Sequence, residues 1–449
     1  MPFNIFGCNS SAAYDVHAAQ VAANNAIPKK IEISVINIHS TQVPPPALLT
    51  QGAQGQGTHQ PVSRPASQSS LAMLWPSQYA DDNLKSVPSI ITCEIAPEAN
   101  NGADSEGSIA LCKAAYRGRM DVVLSMLQSP GIDVNGVNKK GMTPLGMASY
   151  ADQSDVVNAL LEHEQTKVNA LNHLGITALG LAAYKGNLDI VRTLLQAKDI
   201  DVNITNESGE TALSLAAFSN NLDVVEALLQ APGIHLNSVN QQGMTALNQA
   251  AYMGNTDVVR RLLQEPGIDV NAGHEGGERA LSLAAYANQR DVVQLLLQAP
   301  GIHFNAANKQ GLTALMWAIS RGHKEVVHTL LQPSEIDINS KDQRGNTALI
   351  LAVYKELNDV VDGLLKRADI DVNAANERKN TALIVAASRG HRAIVDKLRK
   401  VPDIDLAATD KDGATAMKRA MQAGHPMIAT ILMLSAAGRN APIAFAIEE

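Results

Sequence analysis

The sequence predicts an all-α solenoid, a stack of helix-turn-helix-hairpin units behind a largely disordered N-terminal segment. Three observations carry that prediction. Glycines recur at Gly107, Gly141, Gly175, Gly209, Gly243, Gly277, Gly311 and Gly345, always 34 residues apart; Lys379 stands where the next is due, and Gly413 follows. A fixed period of this size, with no insertion or deletion, marks a repeat architecture. The chain is 45% hydrophobic yet only 3% aromatic, which suits many thin layers of Ala, Leu, Val and Ile better than one thick core. Third, the hydrophobic period changes in the same way inside every copy. Copies are numbered here by their turn residue, copy one at Gly107 and copy ten at Gly413.

Before the array, residues 1–30 show little periodicity, and Lys30–His39 alternates well enough to predict one short strand. From Thr41 to Ser70 the text is Pro, Gln, Gly and Ser. Such a segment cannot bury enough apolar surface to offset ordering entropy, so residues 1–70 are expected to be mostly disordered. The glycines at Gly52–Gly57 make no phosphate loop, since no strand precedes them and no helix follows. Residues 71–97 are more apolar, with Leu71, Trp75 and Ile90, and are expected to form an irregular cap. The solenoid is assigned to 98–437 and a C-terminal tail to 438–449.

Within a copy, apolar residues at Ala178–Tyr184 fall at helical spacing. A residue that tolerates a left-handed backbone follows, Gly186 in copy three and Asn220 in copy four. A second helix is predicted over Leu188–Gln196, with Ile190, Val191, Leu194 and Leu195 on one face. Asp189 near its start suits the positive end of the helix dipole. An extended arm with the pattern I-D-V-N then leads to the next turn.

Columns across copies predict what is buried. Ala occupies 114, 148, 182, 216, 250, 284, 318, 352, 386 and 420 without exception. A residue kept small ten times marks a close approach of helix backbones. A Leu column runs from Leu111 to Leu383 and ends in Met417. Odd copies place Gly after the first helix (Gly118, Gly186, Gly254, Gly322, Gly390), while even copies have Asp152, Asn220, Asn288 and Glu356. That alternation indicates duplication in pairs. Copy nine breaks several rules together: Lys379 replaces the turn Gly, Arg399 enters a Leu column, and Ala407 ends the Asn column of Asn135–Asn373. The weakest layer is expected there.

The recurring G-x-T-A-L-x-L-A-A, D-V-V-x-x-L-L and D-V-N segments resemble the ankyrin repeat over roughly three quarters of the chain. Two departures stand out. The period is 34 rather than the family's usual 33, and the His usual after T-P-L is replaced by Gly146, Gly180, Ser214 or other residues. The resemblance implies a binding surface on the concave side of the stack, near the C-terminal ends of the first helices.

One column fits that expectation. Tyr116, Tyr150, Tyr184, Phe218, Tyr252 and Tyr286 hold one place in six consecutive copies, followed by Ser320, Tyr354 and Ser388. The next place holds Arg117, Lys185, Arg321, Lys355 and Arg389. Tyr and Arg dominate interface hot spots. Packing of the rings on one another between layers is the competing reading, and the two can coexist. The candidate partner-binding set is Tyr116, Arg117, Tyr150, Tyr184, Lys185, Phe218, Tyr252, Tyr286, Arg321 and Tyr354.

Other chemistries find little support. A formal net charge of −8 argues against nucleic acid, which demands a basic stripe. No window has the roughly 18 to 20 apolar residues of a membrane span. Cys8, Cys93 and Cys112 are scattered and odd in number, which fits a reducing compartment and predicts a cytoplasmic site of action. No catalytic or metal-binding spacing survives scrutiny: E-H-E-Q at Glu162–Gln165 reads as a solvated helix end, and His323, His391 and His425 as structural. The Asn135–Asn373 column is expected to brace the hairpin, with a modification target as the weaker reading. The expected function is a non-catalytic scaffold for a protein or peptide, without cofactor, metal or small-molecule substrate. The alternative is a secreted effector of a host-associated microbe, resting on the Ser/Gln/Pro-rich N-terminal segment. An enzyme confined to residues 1–97 is disfavoured, because that segment is too short and too poor in apolar residues.

Overall fold

The structure, a computed structural model, describes residues 106–438, and these all belong to one compact unit. The short strand, disordered segment and cap expected before residue 98, residues 98–105 of the expected solenoid, and all but the first residue of the tail expected at 438–449 lie outside the described residues. Among the described residues there are twenty helices, two per copy. No strand forms among them; three isolated antiparallel bridges, such as Gly273 with Arg279, are all that the hairpin arms contribute.

Each first helix starts where its sequence allows a cap. Thr143, Thr177, Thr211, Thr245, Thr313, Thr347, Thr381 and Thr415 sit in extended backbone, and each hydroxyl accepts the N–H three residues on. This satisfies one of the donors that a helix start leaves bare. Copy six has Arg279 in that position, and there Ser282 Oγ accepts the Arg279 N–H at 2.8 Å. The first helix ends at a left-handed residue in every copy. In odd copies and in copy ten (Gly424) that residue is Gly; in copies two, four, six and eight Asp152, Asn220, Asn288 and Glu356 adopt φ of 54–62°. The alternation read from the sequence thus has one backbone solution, written with Gly or with Asp, Asn or Glu.

First helices stack on first helices and second on second along the array. The Ala column is wholly buried, as are the Leu residues from Leu111 to Leu383. Each such Leu contributes roughly 1.5–3 kcal/mol. Met417, which ends the Leu column, is exposed, together with Met421, Met427 and Met433, so among the described residues copy ten presents an outer apolar face.

Hairpin tips are joined by backbone. The Gln241 N–H donates to Ser208 O at 2.8 Å, and the equivalent bond recurs from His173 to Lys411. This close approach explains the turn Gly: at Gly209, φ is +79° and an added Cβ would lie 2.9 Å from Asn240 Cα. Lys379 occupies the same left-handed region at φ 57°. The Asn column, expected to brace the hairpin, spends its side-chain bonds on the hairpin arm of the next copy. Asn135 Nδ2 donates to Gln165 O at 2.7 Å, and its Oδ1 accepts from Lys167 N. The same pair of bonds repeats to Asn373, which grips Asp403 and Asp405. Each Asn therefore ties one copy to the next.

Candidate functional site

The rings expected to form a binding row stand at the C-terminal ends of the first helices, held by the next copy. Asn221 Nδ2 donates to the Ala183 and Tyr184 carbonyls at 2.8 and 3.0 Å. Asn255 does the same for Ala217 and Phe218, and Gln289 reaches Tyr252 O at 3.3 Å. In copy seven His323 takes the role, with Nε2 3.0 Å from Tyr286 O. Burial holds this imidazole below its ordinary pKa, with the carbonyl bond opposing and Arg321 adding to the depression. His323 is thus a helix-end cap, the structural role read from its position.

Tyr116, Tyr150, Tyr184, Phe218, Tyr252, Tyr286 and Tyr354 are all half-buried. Tyr116, Tyr150 and Tyr184 rest against buried Cys112, Met142, Met147, Ile176, Leu181 and Leu215. Tyr252 and Tyr286 stack with centroids 6.4 Å apart, and Tyr286 meets Trp317 edge-on at 5.0 Å. Burial raises the phenol pKa of Tyr150, Tyr184, Tyr252 and Tyr354, so these hydroxyls remain donors at neutral pH. Packing between layers and partial exposure coexist: each ring has one part on the core and another at the surface.

The neighbouring cations are exposed, and three of them fold back over the ring of the preceding copy. Lys185 Nζ lies 5.1 Å from the Tyr150 centroid, Arg321 Cζ 4.3 Å from Tyr286, and Arg389 Cζ 4.9 Å from Tyr354. Such contacts are worth about 0.5–1 kcal/mol each at exposed sites. Arg117 is exposed at the start of the row.

Ankyrin-repeat family models, one of three copies and one of many, match residues 78–172, 164–240, 233–308, 301–376 and 364–420. The chain belongs to the ankyrin-repeat family. A search of curated proteins returned no match. An ankyrin array is a protein-interaction module, and the helix pairs, capped turns and tied hairpins above are how this one is built. Among its described residues no three or more His, Cys, Asp or Glu side chains are grouped to hold a metal. No helix among them is long and apolar enough to cross a membrane. Cys112 is buried and its thiol donates to Met142 O at 3.3 Å; burial pushes its pKa up to about 12, so it stays protonated at neutral pH.

Sequence reading missed two features of this ankyrin array. Trp317, fully buried in a column where four other copies have Leu181, Leu215, Leu283 and Leu351, carries the ring row past the gap at Ser320. The second is a buried polar seam under the hairpins. Glu210 accepts from Ser214 Oγ (2.6 Å), Asn240 Nδ2 (2.7 Å) and Gln249 Nε2 (2.7 Å). Two copies on, Glu278 accepts from Asn308 Nδ2 at 2.7 Å and lies 3.0 Å from His274 Nε2. Burial pushes the Glu278 carboxyl up, but the bonds from His274 and Asn308 outweigh it and leave its pKa lowered. The signal was present in the sequence: Glu210 and Glu278 interrupt a column of Met142, Ile176, Met244 and Leu312.

Proposed function

We propose that this ankyrin array is a non-catalytic scaffold that docks a protein or peptide partner along the row formed by Tyr116, Tyr150, Tyr184, Phe218, Tyr252 and Tyr286. The observation that carries the reading is the half-burial of one ring per copy through six consecutive copies. A ring seated on the core at one side and open at the other loses little entropy on binding, which favours it as an anchor. With layers about 10 Å apart, the row spans roughly 50 Å, room for an extended segment or the edge of a folded partner. The flanking Arg117, Lys185, Arg321, Lys355 and Arg389 add hydrogen-bond donors and positive charge beside it.

The test is a comparison of the full chain with the Tyr184→Ala/Phe218→Ala/Tyr252→Ala variant in affinity capture, bound proteins being identified by mass spectrometry. Proteins held by the parent should fall by more than about tenfold, as for loss of hot-spot rings, while far-UV circular dichroism stays helical. Capture that survives the three substitutions would place the site elsewhere.

A cytoplasmic site of action fits the sparse cysteines. The reading as a microbial effector acting in a host cytoplasm rests on the Ser/Gln/Pro-rich residues 41–70. Deleting residues 1–70 and measuring translocation tests it, and undiminished transfer would remove its basis.

A further inference from the structure

The column after the rings changes character along the array. In copies four to six it holds Ser219, Met253 and Ala287, all uncharged; in copies seven to nine it holds Arg321, Lys355 and Arg389, all exposed. The ring column changes the opposite way, unbroken through copy six and interrupted by Ser320 and Ser388 afterwards. Arg117 and Lys185 stand beside the rings in copies one and three, but only copies seven to nine carry a cation in three consecutive layers.

The cationic part is held in place. Arg321 and Arg389 lie over Tyr286 and Tyr354, and Tyr354 also feels the charge of Arg378 on the neighbouring hairpin tip. Like charges crowd here: burial, then the nearby Arg321, hold the Lys355 ammonium below the ordinary lysine value. The adjacent acid, Glu356, faces His391 instead, with Oε1 3.4 Å from Nδ1.

Building on the docking reading above, we propose that copies seven to nine receive an acidic segment of the partner protein, its carboxylates meeting Arg321, Lys355 and Arg389 while the rings hold its apolar part. Layer spacing gives the pattern. Cations about 10 Å apart match an extended chain, at about 3.3 Å per residue, with an acidic side chain at every third position. Bringing a carboxylate between clustered cations relieves their mutual repulsion, so complementarity gives specificity as well as attraction.

The probe is a short fluorescein-labelled peptide with Glu at every third position among Ser and Gly, read by fluorescence anisotropy against the full chain. A matching peptide with Gln for Glu is the control. The Glu peptide should bind at low salt and the Gln peptide should not. Affinity should fall several-fold between about 50 and 300 mM salt, as expected for screened surface charges. Arg321→Glu/Lys355→Glu/Arg389→Glu should weaken it by about tenfold or more, three surface pairs being removed and reversed. The corresponding triple Gln variant, gentler on the fold, should give a smaller loss in the same direction, with thermal melts confirming that both variants fold.

The Tyr184→Ala/Phe218→Ala/Tyr252→Ala variant should bind the peptide as the parent does. Failure of the ring row and failure of the acidic site are thereby read separately. No binding of the Glu peptide at low salt, or equal binding by the charge-reversed chain, overturns the proposal. So does a single-stranded oligonucleotide that binds more tightly through the same three residues, which would make this a nucleic-acid site.

Discussion

Glu210 shows how a residue that looks wrong in its column becomes right through its neighbours. It is almost wholly buried, and so is Gln249, which stands where other copies place Leu181, Leu215 or Leu283. The two lie 39 residues apart and hydrogen-bond at 2.7 Å, replacing an apolar pair such as Ile176 and Leu215 with a polar one. A buried polar pair is costly to break and cheap to exchange as a unit. Glu210→Leu alone should therefore destabilise by about 2 kcal/mol, leaving the Gln249 amide unsatisfied. Glu210→Ile with Gln249→Leu should recover most of that loss in urea denaturation. A double variant no better than the single one would show that Ser214 and Asn240 matter more than the pair. The same seam recurs at Glu278–Asn308 and Asn346–Asn376, every second copy, a deeper trace of paired duplication than the Gly/Asn alternation that revealed it.

At the scale of the element, what matters is how a seven- or eight-residue helix survives at all. Alone it is too short to be stable, and its carbonyl end needs partners. In this array the next copy supplies them through Asn187, Asn221, Asn255, Gln289 and His323. The last of these brings a pH dependence. The His323 pKa lies below its ordinary 6.5 in the folded chain, burial being the main cause. The unfolded chain then binds the proton more readily, so this contribution to stability is complete above 6.5 and is lost as pH falls from there toward the folded value. His391, also lowered by burial with Glu356 opposing, adds in the same direction. His323→Asn should keep the carbonyl bond, as Asn255 does, and flatten the fall in denaturation midpoint between about pH 7 and 5. An unchanged slope would mean that the imidazole opens to solvent before it titrates.

For the molecule as a whole, a linear stack is only as strong as its weakest neighbour pair, and the sequence places that pair around copy nine. The structure alters the reasons. Ala407 forgoes the Asn tie at a place where its first partner position, Ala437, lies at the end of the helix Pro426–Ala437 rather than on a hairpin arm. Arg399 occupies a column that is at most barely buried, and its guanidinium meets Asp396 at 2.8 Å. What remains is Lys379 in left-handed backbone and a first helix in copy ten that buries only Ala416 and Ala420. Hydrogen exchange should show protection declining from copy eight to copy ten. Lys379→Gly should restore part of it, by about 1 kcal/mol, the cost of a side chain in that conformation. Uniform protection over these copies would refute the weak layer.

Repeat period, helix pairs, turn glycines, the Ala and Leu columns and the location of the ring row were all legible in the chain, because a 34-residue period aligns each position with nine others and exposes what each must tolerate. A single column cannot show what faces it across a layer. Whether Tyr286 would be covered or open, that Trp317 would extend its row, that Asn135 would grip the next copy, and that Glu210 would find Gln249 depended on contacts 30 to 39 residues distant. Those contacts are between columns. Short-range periodicity dictates which side of a helix is buried, whereas only stacking decides which buried groups meet.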